Sequence, residues 1–311
     1  MTASTTAVFD VDTWSHARLT QVEQALSRWV VADAPAGLGE AMRYAVLDGG
    51  KRLRPLLVLA AREAVADGHA DGASAAALDE AALRAGCAVE LIHAYSLVHD
   101  DMPCMDNDVL RRGKPTVHVQ FGQAQALLAG DALQALAFEL LTPEGVGIEP
   151  AVQASLCRIL ARAAGYEGMA GGQAIDLASV GHQLDEAQLR QMHRLKTGAL
   201  LEASVMMGAA CGHTTGEARD ALRRYGQAIG LAFQVVDDIL DVTADAATLG
   251  KTAGKDAAND KPTYVSLMGL QAARDHAHAL LQEALSALQA STLTHTHALA
   301  ALARKVVNRN A

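Results

Sequence analysis

A chain of 311 residues, half of them hydrophobic and a fifth charged, can bury a large core; only 4% are aromatic, and abundant alanine favours helices over strands. The formal net charge of −9 argues against a nucleic-acid surface, which would carry a basic stripe. Cys87, Cys104, Cys157 and Cys211 form no CxxC pair and MTASTTAVFD does not read as a signal peptide, so free thiols in a reducing cytoplasm are expected.

Taken in chain order, residues 1 to about 12 read as a loose arm. The break PAGLG leads to LDGGKRLRP, where Lys51, Arg52 and Arg54 follow a flexible Gly49-Gly50. This is not a phosphate-binding Walker loop: Ala45 stands at its first glycine position and Arg52 at its Ser/Thr position. The run AALRAGCAVELIHAYSLVHDD is apolar on most sides, as a helix central to a bundle would be. It flows into HDDMPCMDND and then LRRGKPT, an acid-rich stretch followed at once by Arg111 and Arg112. GQAQALLAGDALQALAFELL carries Leu128, Ala132, Leu136 and Leu140 at helical spacing. No proline lies between Pro150 and Pro262, so that stretch reads as successive helices. The apolar runs PLLVLAA and GALLEASVMMGAACG are short or broken by charge, below the ~20 residues of a membrane span. FQVVDDILDVTAD supplies a second acid group, with Asp237 and Asp241 four apart on one helix face among Val235, Val236, Ile239 and Leu240. Lys251 and Lys255 follow in a Gly/Ala/Asp-rich stretch that reads equally as a lid over phosphate or as a surface loop. No repeat or linker divides the chain, and one all-α domain spanning 1–311 is expected.

An acid cluster by itself is as often a solvated face as a site. Two on apolar helices are harder to explain that way, because carboxylates near a core are costly without cations. Oxygen donors without paired His or Cys favour Mg²⁺ or Mn²⁺ over Zn²⁺, and Mg²⁺ usually completes its shell with substrate phosphate. An EF-hand fails because Leu110 stands where its third ligand belongs, and a di-iron bundle fails because Glu90-Leu-Ile-His93 has no second copy. A glycosidase pair needs two carboxyls, not seven. Arginine forks match phosphate geometry. The groups around Lys51 and around Arg111, each ordinary as surface charge, together with two acid clusters suggest two anionic substrates. Lys196-Thr197 opens an apolar segment, where a lysine needs a partner or solvent.

In order, GGKRLRP, LIHAYSLVHDDMPCMDNDVLRRGKPT, GMAGGQAIDL, KTG, FQVVDDILD and LGKTAGKD resemble the motifs of the short-chain trans-prenyl diphosphate synthases over roughly residues 49 to 264. The likeness is greatest to bacterial members that make farnesyl diphosphate. The resemblance implies an all-α bundle around a deep central apolar pocket, working as a homodimer. It implies condensation of isopentenyl diphosphate with dimethylallyl diphosphate and then with geranyl diphosphate, giving farnesyl diphosphate. Asp100, Asp101, Asp106, Asp237 and Asp241 would hold about three Mg²⁺ ions, or Mn²⁺ in their place, on the allylic diphosphate. Arg111, Lys196 and Lys255 would bind that diphosphate, and Lys51, Arg54, His93 and Arg112 would bind isopentenyl diphosphate. Thr197 and Gln234 would face the reacting carbons, and the carbonyl dipoles of Lys196 and Thr197 and the Gln234 amide oxygen would steady the cation. No side-chain base is implied, since the departed diphosphate takes the proton. Gln173 and Asp176 would support the site or simply pack. Asn107-Asp108-Val109 departs from the family's usual run of further aspartates.

For product length, helix arithmetic places Ser96 one turn below Asp100 and His93 a turn further, with Tyr95 well round the helix. The resemblance instead makes Tyr95, five residues before the first aspartate, the pocket floor that stops growth at fifteen carbons. Geranyl or geranylgeranyl diphosphate synthases stay open as alternatives. A terpene cyclase is disfavoured by the second diphosphate group around Lys51, Arg54 and His93, and a non-catalytic subunit by the intact aspartates.

Overall fold

The computed structural model describes residues 9–47, 49–66, 72–182, 184–243 and 263–309. Helix α1 (Val11–Trp29) starts where the Asp10 carboxylate accepts the backbone N–H groups of Asp12 and Thr13, a standard side-chain cap. The Phe9 ring lies 6.2 Å from those of Trp14 and His297. The expected arm to residue 12 is therefore shorter at its inner end, and residues 1–8 lie outside the described residues. Next come α2 (Leu38–Val46), α3 (Leu53–Ala64) and the long α4 (Gly72–Asp100). A short hairpin pairs β1 (Leu110–Arg111) with β2 (Lys114–Pro115). Its turn is Arg112-Gly113, both at positive φ, the backbone that a two-residue hairpin needs.

Helices α5 (Val117–Phe121), α6 (Gln123–Leu141), α7 (Pro150–Ala164) and α8 (Met169–Ala178) follow. In α9 (Glu186–His193), Asp185 and Gln188 form a reciprocal capping box. One π-helical turn, Arg194–Gly198, joins α9 to α10 (Ala199–Ala210). Then come α11 (Gly216–Thr243), α12 (Tyr264–Met268), α13 (Leu270–Ala290) and α14 (His297–Val307). The all-α expectation holds.

The apolar core falls into two clusters. One joins faces of α1, α2, α4, α6 and α7, with Leu26, Ile92, Leu133 and Leu160 fully buried. The other joins α11, α13 and α14, around Tyr225, Ile229 and Leu299. Helices α3 and α10 belong to both: Val58 and Met207 face the first, Leu57 and Val205 the second.

In α6 the stripe read from sequence is displaced. Ala126, Ala129, Leu133, Ala137 and Leu140 are buried, whereas Leu128 is half exposed. A helix apolar nearly all round gives periodicity little to choose between. Two helical spans, Ser74–Asp100 and Gln123–Leu141, are long and apolar enough to cross a bilayer, which the short runs singled out in the sequence did not suggest. The first is largely accounted for by burial in the core, with 72% of its most apolar window covered, against 39% for the second.

Candidate active site

Helix α4 delivers the first acid cluster at its C-terminal end. Asp100 lines a cavity of about 360 Å³ together with Arg54, His93, Tyr95, Lys196 and Thr197. Burial, above all, raises the Asp100 carboxyl to about 6; the nearby Lys196 opposes that and Asp106 adds to it. The chain folds back so that the Asp106 N–H donates to the Asp100 carbonyl at 2.8 Å. Asp101 points elsewhere. It is almost fully buried and takes a two-pronged bond from Arg111, with Nε to Oδ2 at 2.8 Å and Nη2 to Oδ1 at 2.6 Å. The tight Arg112-Gly113 turn sends Arg111 back toward the end of α4. Of the three aspartates expected to hold metal here, Asp101 serves in this structure as the arginine's counterion.

Much of the rest of the lining comes from α8 and the π-helical turn, with α11 tied to that turn through Thr197. Lys196 Nζ pairs with Asp176 Oδ2 at 2.6 Å. Gly172 permits this approach, because a side chain there would run into the backbone of Leu195 and Lys196. Thr197 Oγ1 donates to Gln234 Oε1 at 3.0 Å, and Gln234 Nε2 donates to Asp238 at 2.9 Å. Asp238 also accepts the Tyr264 N–H at 2.8 Å, so this buried aspartate ties α12 to α11 rather than opening to the cavity. Its neighbours Asp237 and Asp241 are the candidates for metal. Asp241 is buried; the more open Asp237 is paired with Arg309, which also donates to the Phe233 carbonyl at 2.9 Å.

The basic residues sit at the N-terminal end of α3 and in the hairpin. Arg54 is nine-tenths buried, its Nε meets no hydrogen-bond partner, and burial pulls its pKa below the usual value against the field of Glu90. Burial also holds His93 well below the ordinary imidazole range, reinforced by Arg54 and Arg112. His93 is thus a neutral hydrogen-bonding group at neutral pH. The Lys51 ammonium is pushed down by burial and by Arg309, and Arg112 donates to the Gly49 carbonyl at 2.6 Å. Arg112 depresses both Lys51 and His93, and Arg54 depresses His93, so positive charge is crowded here in a way that a polyanion would relieve. Arg52, beside them in sequence, belongs to the scaffold, held by Glu23 at 2.7 Å and by Glu90 at 2.9 Å. Glu90, the acid of the isolated Glu-x-x-His spacing, thus serves as a counterion of Arg52.

Ser96 and Tyr95 both line the cavity, although the helix arithmetic favoured Ser96. The Ser96 hydroxyl is turned back onto the His93 carbonyl at 2.8 Å. The Tyr95 ring stands edge-on to His99, centroids 5.6 Å apart. Gln173 lines the same cavity with both amide atoms buried and unbonded. Lys251 and Lys255 lie outside the described residues. Arg309 had no signal in the sequence: a lone arginine in VVNRNA looks like any terminal charge.

Among the described residues no three His, Cys, Asp or Glu side chains converge into a ready-made metal cage. The donors fit Mg²⁺ nonetheless: they are carboxylate oxygens only, and Mg²⁺ typically takes one or two of these plus substrate phosphate. The unbonded Arg54 Nε is the matching provision for phosphate.

The description "polyprenyl synthetase" fits a family model over residues 35–302. The chain is 47% identical to the farnesyl diphosphate synthase of Escherichia coli K12, over 93% of this chain and 96% of that one. Among solved structures it resembles an FPP/GFPP synthase from Zymomonas mobilis in its apo form, with a TM-score of 0.82 and 42% identity, covering 96% of this chain and 98% of that one. It also resembles a geranyltransferase from Helicobacter pylori complexed with magnesium and isoprenyl diphosphate, with a TM-score of 0.82 and 34% identity over 99% and 98% of the two chains.

Proposed function

Because the chain belongs to the polyprenyl synthetase family, we propose that it is a farnesyl diphosphate synthase, condensing isopentenyl diphosphate with dimethylallyl and then geranyl diphosphate. The observation that carries this reading is that one cavity is lined by two sets of residues suited to diphosphate, Asp100 with Lys196 and Arg54 with His93. A terpene cyclase handles one diphosphate and has no use for the second.

The metal set is Asp100 and Asp106 with Asp237 and Asp241; Asp101 acts through Arg111, fixing the guanidinium that meets the allylic diphosphate. Bound there, Mg²⁺ offsets the negative charge of the leaving diphosphate. Lys196, fixed by Asp176, adds a positive charge to that end, and Lys255 belongs to the same group by motif. Breaking the allylic C–O bond leaves a delocalised carbocation. The Thr197–Gln234 pair holds oxygen dipoles beside it, and such preorganised dipoles stabilise developing charge without reorganising. Lys51, Arg54, Arg112 and the neutral His93 orient isopentenyl diphosphate so that its alkene attacks that carbon, a gain of positioning. Loss of a proton, taken up by the departed diphosphate, completes the step. The apolar remainder of the cavity keeps out water that would quench the cation.

The chain works as one domain, since α3 and α10 lie in both core clusters. It pairs as a homodimer through α5 and α6, where Val119, Leu127 and Leu128 are exposed, and it acts in the cytoplasm. The test is incubation of purified protein with isopentenyl and dimethylallyl diphosphates, with and without Mg²⁺, followed by dephosphorylation and identification of the alcohols. Farnesol formed only with metal is expected. A twenty-carbon alcohol would keep the chemistry and replace the product. Failure to condense, with cyclic hydrocarbons from geranyl or farnesyl diphosphate, would reject the two-substrate reading.

A further inference from the structure

The C-terminal arginine makes an unusual contact for a residue two positions past the last helix. Arg309 reaches back to α11, where its Nη2 donates to the Phe233 carbonyl at 2.9 Å and pairs with Asp237 Oδ1. Its guanidinium carbon lies 4.1 Å from the centre of the Phe233 ring. Only 10% of the side chain is exposed, against 41% for Asp237. A floppy terminal charge would not be buried, stacked and hydrogen-bonded together. Nor is the arginine fully satisfied, since its buried Nε meets no partner. Its field also reaches Lys51, which it depresses while Asp237 pulls the other way.

Asp237 is one of the carboxylates assigned above to Mg²⁺, and the inference rests on that assignment. A guanidinium on Oδ1 and a divalent ion on the same carboxylate repel each other, so each weakens the other's hold on Asp237. The two cations therefore compete for this side chain. We propose that Arg309 is a tethered stand-in for the metal: it neutralises Asp237 in the unliganded protein and is exchanged for Mg²⁺ when the site is loaded. Few bonds hold it. The tether is the two-residue run from Val307, so release needs no unfolding of α14. Freed, the guanidinium stays beside Lys51. The exchange couples metal loading to the position of the C-terminus, and it lowers the apparent metal affinity by the fraction of molecules in which Asp237 is open.

The test uses the full chain and metal alone. Free Mn²⁺ is followed by electron paramagnetic resonance as protein is titrated, for the parent and for Arg309→Gln, Arg309→Lys and Asp237→Asn. Arg309→Gln should bind Mn²⁺ about three- to tenfold more tightly, the scale expected from removing one partly buried competing cation. Arg309→Lys, which keeps a cation, should fall between it and the parent. In a second measurement, saturating Mg²⁺ should speed amide hydrogen exchange at the C-terminal end of α14 in the parent and leave it unchanged in Arg309→Gln. Unchanged or weaker Mn²⁺ binding by Arg309→Gln, with Asp237→Asn clearly weakened, would overturn the exchange while leaving the metal assignment standing. Asp237→Asn binding as tightly as the parent would remove Asp237 from the metal set and overturn the proposal at its premise.

Discussion

At Tyr95 two ways of reading a sequence part company. Angular arithmetic along α4 points Ser96 down from Asp100, yet the structure has both side chains at the cavity, with Ser96 turned onto the backbone. Arithmetic along a helix gives directions but not reach. A tyrosine some way off the stripe still reaches the cavity that Ser96 also lines. The ring is held edge-on by His99, and burial, with Asp100 adding, raises its phenol pKa. Shortening it in Tyr95→Ala should move the main product from fifteen to twenty or more carbons, read by chromatography of the dephosphorylated alcohols; an unchanged length removes Tyr95 from the floor. A second residue-scale consequence concerns His193. It is buried with both ring nitrogens unbonded and stacked on Tyr264 at 5.7 Å. Burial lowers its pKa to about 4, against the field of Asp176 and with that of Lys196. Its unfolded form takes a proton below about 6.5 and its folded form only near 4, so the stability contributed by neutral burial is present above 6.5 and lost as pH falls toward 4. Between pH 7 and 5 that group should cost about 2 kcal/mol. In urea titrations at the two pH values, His193→Phe should lose less stability than the parent by that amount; identical losses would reject the assignment.

At the scale of elements, much was legible. Apolar spacing and the proline-free stretch pointed to helices, because those signals are local. The buried face of α6 was not, because alanine and leucine surround that helix and only its neighbours decide which side is covered. The second use of Asp101 was also hidden: nothing in DDMPCMD distinguishes a metal ligand from the counterion of an arginine ten residues on, since the distinction depends on the Arg112-Gly113 turn. Asp238 and Arg52 show the same limit, as charges inside functional motifs that serve the scaffold. Between α3 and α10 the limit is steric. A methyl group on Gly208 would overlap the Val58 carbonyl oxygen and come within 2.7 Å of the Ala61 Cβ. In an isolated helix, Gly→Ala is favourable by up to ~1 kcal/mol. Here overpacking should reverse the sign, and Gly208→Ala should destabilise the protein by about 1–3 kcal/mol or more in a denaturant titration. A stabilised variant would show that the two helices part easily.

For the whole molecule, the face left uncovered matters most. Leu127 and Leu128 stand about half exposed on α6, and Val119 on α5 continues the patch. Exposed apolar surface on this scale marks an interaction site, and the proposed homodimer covers it. Leu127→Glu with Leu128→Glu should shift the mass measured by light scattering from two chains to one, with helical circular dichroism retained. A dimer that survives would place the interface elsewhere.

The sharing of α3 and α10 between both clusters has a further consequence. Arg54 stands in the first turn of α3, and Lys196 and Thr197 lie in the π-helical turn that runs through Gly198 into α10. The residues proposed to hold substrate are thus rooted in, or just ahead of, the two helices shared by both core clusters. A molecule held there does not merely close a pocket; it braces the entire chain against melting. At a hundred times its dissociation constant such a ligand adds about 2.7 kcal/mol, so the melting temperature itself becomes a readout of occupancy, and candidate substrates or inhibitors are ranked by heating the protein with each in turn.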